Sequence, residues 1–86
     1  MEVRHDTQAQ QFWLEPEPGL RCVLDYRRQG DAVVFTHTGV PAALQGRGLA
    51  AQLVSAGLQW AREQGLQVVP ACSYVASYMR RQARRA

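Results

Sequence analysis

The first half of the chain alternates apolar and polar positions with the two-residue period of β-strands. The alternation is clearest where Cys22, Leu24 and Tyr26 share one face of a predicted strand. Four strands are predicted in this half, over residues 3–6, 11–15, 21–27 and 32–38. We expect Pro16 to end the second strand and residues 29–31 to form a hairpin turn. Short turns between successive strands predict an antiparallel meander.

The second half repeats its apolar positions with the period of a helix. The first helical stripe consists of Leu49, Leu53, Ala56 and Trp60. Gly65 is placed to cap this helix, and residues 66–69 then form a short buried strand that stops at Pro70. A second helix begins near Ser73, with an apolar face made of Tyr74, Val75, Tyr78 and Met79. The predicted fold class is α+β, with two helices packed on one mostly antiparallel sheet.

The composition is that of an ordinary globular protein. With 86 residues, of which 47% are hydrophobic and 20% charged, we expect a single domain over residues 1–86. No apolar run reaches the roughly 20 residues that a membrane-spanning helix needs, and the N-terminal residues lack the apolar segment of a signal peptide. These features predict a cytoplasmic protein with no membrane partner. Cys22 and Cys72 lie far apart and form no metal-binding pair, so we expect free thiols and no metal site.

The stretch LQGRGLA, residues 44–50, separates the last predicted strand of the first half from the first helix. The first N–H groups of a helix lack partners within the helix and carry the positive end of its dipole. Gly46 and Gly48 let a ligand approach this bare backbone, and Arg47 can add a charge-assisted hydrogen bond at the rim. The stretch is a candidate site for an anion, and a pyrophosphate fits best. The alternative is a flexible strand-to-helix loop, since short glycine motifs produce many false matches. The spacing matches neither a Walker loop nor a Rossmann fingerprint.

The same stretch resembles the pattern Gln/Arg-x-x-Gly-x-Gly/Ala of the GNAT N-acetyltransferase superfamily, matched here by Gln45, Gly48 and Ala50. The chain is similar in particular to a subfamily of very small, stand-alone GNAT-like proteins. The resemblance extends in order along the chain from about residue 3 to about residue 80. The matching positions are Tyr26, Gly30, His37-Thr38-Gly39-Val40-Pro41, Gly46-Arg47-Gly48, Leu53, Ala56, Ala61, Gly65, Val69-Pro70, Cys72, Val75 and Tyr78.

The resemblance implies a trimmed GNAT fold, whose sheet splays between the strand that ends near Val40 and the strand at residues 66–69. It also implies that acetyl-CoA enters this gap. The pantetheine arm would pair with Thr38, Gly39 and Val40. The pyrophosphate would bind the N–H groups of Gln45, Gly46, Arg47, Gly48, Leu49 and Ala50. The implied activity is N-acetylation of an amine. The oligomeric state is left open between a monomer and a homodimer.

The acceptor is expected to be an exposed amine. The pattern of these residues predicts neither the N-terminal helical pair nor the C-terminal strands that usually build the acceptor pocket in the superfamily. The groove that remains would be open and shallow. It favours a protein lysine, a chain terminus or a polyamine over an enclosed metabolite.

Two residues are candidates for catalysis. Cys72 precedes a predicted helix, whose dipole favours a thiolate, and by resemblance it lies beside the thioester. It would then accept the acetyl group in a two-step transfer, whereas the alternative is a cysteine that only packs. Histidine ordinarily titrates near neutral pH, so His37 is a candidate general base for the amine. The alternative for His37 is a strand histidine that is hydrogen-bonded within the fold.

Four other side chains receive predictions. By resemblance to the superfamily, Tyr78 is a candidate acid for the departing thiolate, and its apolar position also suits the core. We expect Cys22 to lie in the core and His5 at the surface. Trp13 is expected to pack under a helix.

The C-terminal helix ends with Arg80, Arg81, Arg84 and Arg85. Cations in the last turns of a helix complement the negative end of its dipole, and this is the first interpretation. One or two of these arginines could instead reach the 3′-phosphate of CoA. The pI of about 9.4 favours nucleic acid, but the chain has no recognisable nucleic-acid-binding module, so this partner is not expected. The alternative function is a non-catalytic CoA-binding or interaction module that uses this arginine-rich helix as its contact.

Overall fold

Five strands and two helices make up the computed structural model, which describes residues 2–85. The strands are β1 (Arg4–Asp6), β2 (Gln11–Glu17), β3 (Leu20–Gln29), β4 (Ala32–Gly39) and β5 (Gln67–Pro70). A short 3-10 turn (Ala42–Leu44) precedes helix α1 (Leu49–Glu63), and helix α2 (Ser73–Arg85) follows β5. The predicted order of strands, helix, strand and helix is confirmed. Neither helix of this described part has the length and apolar composition needed to span a bilayer.

The strands lie in the sheet in chain order, from β1 to β5. The first four pair antiparallel, which confirms the predicted meander. β5 pairs parallel with β4, and this ladder joins residues 32–35 to residues 67–70. Beyond Phe35, β4 continues to Gly39, whereas β5 ends at Pro70. A gap therefore opens between the two strands, next to the segments that lead into α1 and α2.

Both helices pack on the same face of the sheet, which we call the covered face. Its buried strand residues are Phe12, Leu14, Cys22, Leu24, Tyr26, Val33 and Phe35. The helices cover them with Leu49, Leu53, Val54, Ala61 and Val75. Leu58 of α1, Val68 of β5 and Met79 of α2 border one shallow cavity, so the helices lie side by side. The α+β class and the core position of Cys22 are confirmed.

Gly57, a buried residue in the middle of α1, lets this helix approach the sheet closely. A Cβ atom on Gly57 would lie 2.9 Å from Cδ2 of Leu24 and 3.0 Å from Cε1 of Phe35. The predicted stripe instead contained Ala56, which is only half-buried. Glycine has no side chain and is not counted among the apolar positions of a helical stripe, so the sequence did not indicate this contact.

The predicted ends of two elements have different outcomes. β2 continues through Pro16 to Glu17, so the prediction that Pro16 ends this strand is wrong. The register with β3 shifts between Leu14 and Glu17, and such an irregularity accommodates a residue without an N–H group. Helix α1 ends just before Gly65, as predicted. The φ of Gly65 is 69°, the left-handed conformation of a helix cap.

The opposite face of the sheet, which we call the open face, carries Trp13, Val23, Val34 and Val69. Within residues 2–85 neither helix covers this face. The prediction of a buried strand at 66–69 is therefore wrong, because β5 is an edge strand with one covered face and Val69 is 44% exposed. The prediction that Trp13 packs under a helix is also wrong, since Trp13 alternates with buried neighbours. Its ring instead contacts Arg21, whose guanidinium carbon lies 3.8 Å from the ring centroid.

His5 lies in an aromatic cluster on the covered face, so its predicted position at the surface is wrong. The pairing of β1 with β2 places His5 opposite Phe12, and the two rings stack with their centroids 3.9 Å apart. A ring nitrogen of His5 shares a hydrogen bond of 2.7 Å with the hydroxyl of Tyr26. The ring of Trp60 packs edge-on against His5, at 5.0 Å between centroids. A strand of three residues is too short for its own pattern to indicate this packing.

Candidate active site

A cavity of about 430 Å³ lies where the end of β4 meets the beginnings of α1 and α2. Its walls are formed by Thr38, Val40, Leu44, Gln45, Gly46, Gly48, Leu49, Ala50 and Tyr74. Seven of the nine residues predicted to bind acetyl-CoA are among these walls. The other two, Gly39 and Arg47, do not line the cavity, whereas Leu44 and Tyr74 line it without having been predicted.

The wall nearest α1 is the glycine-rich turn predicted from the sequence. Gly46 and Gly48 have φ values of 84° and 75°, which other residues adopt at a cost of roughly 1–2 kcal/mol. Gly48 is the N-cap of α1, no side chain caps this helix, and its first turn holds no acidic residue. A Cβ atom on either glycine would meet no atom within 4 Å, so the turn is open. The uncapped start of α1 therefore offers backbone N–H groups and positive potential to an anion.

Arg47 turns away from the cavity toward the β2–β3 hairpin. Its Nη1 lies 3.3 Å from Oε2 of Glu17, and the two side chains are 54% and 51% exposed. An exposed pair of this kind contributes about 0–1 kcal/mol, so it holds the guanidinium only weakly. In this structure Arg47 forms a surface ion pair, and its role at the rim of the anion site stays a prediction.

Cys72 lies immediately before α2, and its N–H donates to the carbonyl of Phe35 at 2.9 Å. Its half-buried sulfur lies 3.6 Å from Oγ1 of Thr38. Burial by itself would raise the pKa of the Cys72 thiol. Hydrogen bonds from the N–H of Val75, the Thr38 side chain, and the backbone of Tyr74 and Thr38 outweigh burial, so the pKa is lowered from its ordinary value. The beginning of α2 thus stabilises the thiolate form.

His37 lies on the open face, away from Cys72. Its neighbour Thr38 faces the helices, and His37 itself is exposed. The Nε2 atom of His37 lies 3.2 Å from the place that a Cβ on Gly39 would take, so the imidazole ring sits beside Gly39. The structure therefore brings Cys72 and Thr38 together but leaves the two candidate catalytic residues, Cys72 and His37, on different faces of the sheet.

Comparison with known proteins gives this geometry its context. The sequence profile described as GCN5-related N-acetyl-transferase matches residues 11–86, most of the chain. The chain belongs to the GCN5-related N-acetyltransferase family. This family generally uses acetyl-CoA, so the protein is an acetyltransferase by class.

Relatives and a solved structure agree with membership of this acetyltransferase family. Protein NATD1 of Mus musculus is 35% identical over 82 residues, which cover 93% of this chain and 74% of that protein. Protein NATD1 of Homo sapiens is 34% identical over 82 residues, which cover 93% and 73%. A GCN5-like protein from Staphylococcus aureus, solved by NMR, superposes with a TM-score of 0.75 at 23% identity and covers 96% of this chain and 81% of that one. The predicted GNAT resemblance and fold are confirmed.

The tyrosine that reaches the cavity of this acetyltransferase is Tyr74, not the predicted Tyr78. Tyr74 lies in the first turn of α2, two residues after Cys72, and forms part of the cavity wall. Tyr78 instead borders a separate cleft between α1 and α2, together with Leu58. The residues nearest a helix start are the ones that face a site at that start. The position of Tyr74 relative to Cys72 was therefore the signal that the sequence analysis missed.

Part of the arginine-rich end of α2 is engaged within the acetyltransferase domain itself. Nη2 of Arg80 donates to Oγ of Ser77 at 3.1 Å. The guanidinium carbon of Arg81 lies 5.8 Å from the ring centroid of Tyr74 and 6.0 Å from that of Tyr78. Arg81 thus lies near a wall residue of the cavity. The side chain of Arg85 lies outside the described part of the chain.

Proposed function

We propose that this protein is an acetyl-CoA-dependent N-acetyltransferase in which Cys72 carries the acetyl group from the donor to an exposed amine. The observation that carries the proposal is a half-buried cysteine with a lowered pKa, in contact with the wall of a cavity built around an uncapped helix start. Family membership supplies the reaction class.

The cavity supports binding of the donor. Its glycine-rich wall, with Gly46 and Gly48, leaves room for a diphosphate beside the N–H groups at the start of α1. Past Phe35, the edge of β4 that faces the gap has no pairing residue in β5. Apart from the Thr38 N–H, which bonds the Cys72 sulfur, the backbone groups of this edge are the proposed partners of the pantetheine amides. A donor held in this way extends from the α1 turn toward Thr38, and its thioester lies near Cys72.

The chemistry at Cys72 proceeds in two steps. The Cys72 thiolate attacks the thioester carbonyl carbon, a new S–C bond forms, and CoA leaves as a thiolate that takes a proton from solvent. A neutral amine then attacks the acetyl group on Cys72. The new N–C bond replaces the S–C bond, Cys72 returns as a thiolate, and the surplus proton of the amine passes to a base or to water.

His37 is the proposed base for direct transfer, the competing route. On that route the amine attacks the thioester of acetyl-CoA itself, and Cys72 only lines the site. The exposed position of His37 beside Gly39 supports an amine that arrives from the open face of the sheet. The absence of any covering helix on that face, within residues 2–85, leaves room for an amine on a protein chain or a polyamine.

Intact mass after incubation with acetyl-CoA tests the proposal. Under native conditions the folded protein should carry bound acetyl-CoA. Under denaturing conditions it should carry one acetyl group, about 42 Da by the chemistry of thioester formation, mapped to Cys72. Cys72→Ala should keep donor binding and lose the adduct. Cys22→Ala is the matched control, because Cys22 is fully buried and should leave the adduct in place.

Each other outcome assigns a different role. Turnover with amines by the Cys72→Ala variant at the wild-type rate would refute the two-step route and favour direct transfer with His37 as base. Bound donor without an adduct or any CoA release across an amine panel would favour a non-catalytic CoA-binding module. In that case the arginines of α2 would be changed and CoA binding measured again. A loss of CoA binding would identify this helix as the contact.

A further inference from the structure

β4 contains a bulge beside the proposed thioester site. Asp25 of β3 pairs with His37 and Tyr26 pairs with Phe35, so Thr36 has no partner residue on β3. A bulge of this kind adds one residue to a strand and reverses the face on which the following side chains lie. Bulges commonly occur next to active sites, where they re-aim a side chain.

The side chain that this bulge re-aims is that of Thr38. In a regular strand, side chains three residues apart point to opposite faces of the sheet. Because Phe35 faces the helices, the side chain of Thr38 would then point to the open face. With the extra residue, Thr38 pairs with the buried Leu24 and faces the helices. Its hydroxyl oxygen then lies 3.6 Å from the sulfur of Cys72 and forms part of the cavity wall.

We propose that Thr38 is the positioning residue for Cys72: its hydroxyl donates a hydrogen bond that holds the thiolate at the edge of the cavity. A thiolate has no proton to donate, so the hydroxyl must be the donor in the reactive state. The N–H groups at the start of α2 approach the sulfur from the helix side, and Thr38 approaches it from the sheet. The sulfur is thereby held between two elements, with the cavity beside it. The catalytic consequence rests on the proposed function, but the contact itself does not.

The pH dependence of Cys72 alkylation tests this inference. Thr38→Val keeps the branched shape and removes the hydroxyl, whereas Thr38→Ser keeps the hydroxyl. Iodoacetamide labelling of Cys72, followed by peptide mass spectrometry, should show a midpoint raised by about one pH unit in Thr38→Val, which makes labelling below the midpoint roughly tenfold slower. Thr38→Ser and the matched control Thr7→Val, the same change at an exposed turn residue, should keep the wild-type midpoint.

Two results would overturn the inference: an unchanged midpoint in Thr38→Val, or an equal shift in Thr38→Ser, which would make the methyl group the cause. Circular dichroism checks that each variant is folded. If Thr38→Val does not fold, Thr38→Ala provides the same comparison, read by the ultraviolet absorbance of the thiolate. The labelling assay contains no acetyl-CoA, so it is independent of the proposed function. In turnover assays, Thr38→Val should lower kcat while leaving KM for acetyl-CoA nearly unchanged.

Discussion

Two titratable side chains of this protein depend on residues that are distant in the chain. Cys72 is hydrogen-bonded from Thr38 on β4, and His5 bonds the hydroxyl of Tyr26 on β3. The two groups respond to burial in different ways. Burial is the main cause that lowers the pKa of His5, with partial opposition from the charge of Asp6, whereas at Cys72 hydrogen bonds overcome it. For both groups, contacts across the fold act together with groups close in the sequence, namely Asp6 for His5 and the first turn of α2 for Cys72.

His5 should make the protein less stable in mild acid. Both the folded and the unfolded chain hold His5 neutral well above its ordinary pKa of 6.5, so its packing contributes fully there. As the pH falls through 6.5, the unfolded chain binds the proton first, because the folded pKa is lower, and the free energy of unfolding decreases. Urea unfolding at about pH 7.5 and about pH 5 should show this difference.

The change His5→Phe should keep the stacking on Phe12 and reduce the pH dependence. Arg4→Gln, an exposed neighbour on β1, is the control and should retain the wild-type pH dependence. A His5→Phe variant with the full wild-type difference would mean that other groups cause the loss of stability in acid.

Two glycines of α1 serve opposite purposes at the scale of the element. Gly48 at its start leaves space open, since a Cβ there would touch nothing within 4 Å. Gly57 in its middle lets the sheet come close, since a Cβ there would meet Leu24 at 2.9 Å. The first leaves room for the proposed ligand, and the second allows dense packing.

Gly57→Ala should destabilise the protein even though alanine is the better helix former. The gain in helix propensity is about 0.5–1 kcal/mol. Overpacking against Leu24 and Phe35 should cost about 1–3 kcal/mol, so the net free energy of unfolding falls. Thermal and urea unfolding measure the change. Ser55→Ala, at an exposed position of the same helix, is the control and should be neutral or slightly stabilising. An unchanged or higher free energy of unfolding in Gly57→Ala would show that Leu24 and Phe35 can shift to make room for the methyl group.

Gly48→Glu should weaken CoA binding by roughly tenfold or more, the equivalent of about 1.4 kcal/mol. The new carboxylate would occupy the place proposed for the pyrophosphate and would repel it. Gly48→Ala is the matched control, because it imposes the same backbone strain at φ 75° without a charge. Calorimetry with CoA measures both dissociation constants. Equal affinities for the two folded variants would contradict the proposed anion site, and binding should weaken as salt is added.

The sequence predicted the elements better than their surroundings. Alternation and helical period located every strand and both helices, and the glycine-rich turn was assigned to the α1 start where the cavity lies. The position of His5 depends on strand pairing, and that of Thr38 depends on a bulge. Neither position is indicated by the periodicity of apolar residues in the surrounding sequence. The predicted catalytic roles of Cys72 and His37 remain predictions, because they depend on ligands and turnover.

At the scale of the whole molecule, the sheet is covered on one side by both helices and, within residues 2–85, left open on the other. An enclosed acceptor pocket needs walls on both sides of the thioester, and the described residues provide walls on the helix side. The open side carries a mixed surface of valine side chains, Trp13 with Arg21, and His37. Such an exposed surface suits an amine on a protein chain or on a polyamine.

We therefore expect a higher kcat/KM with peptide lysines, peptide amino termini and polyamines than with small-metabolite amines. CoA release with a panel of matched primary amines measures this preference. Assays across a wide range of protein concentration serve as the control, because a second copy could supply the missing wall. A small-metabolite amine with a far higher kcat/KM would contradict the inference of an open acceptor site.

The ladder between β4 and β5 is only four residues long, and Thr38 and Cys72 lie on the two sides of the gap beyond it. Short ladders at a sheet edge open locally at a lower free energy than the core. A ligand that contacts both the α1 turn and the start of α2 would hold the two sides of this gap together. Amide hydrogens of β5 and of the first turn of α2 should then exchange with deuterium more slowly when CoA is bound. Those of β1, at the opposite edge of the sheet from β5, should keep their exchange rates.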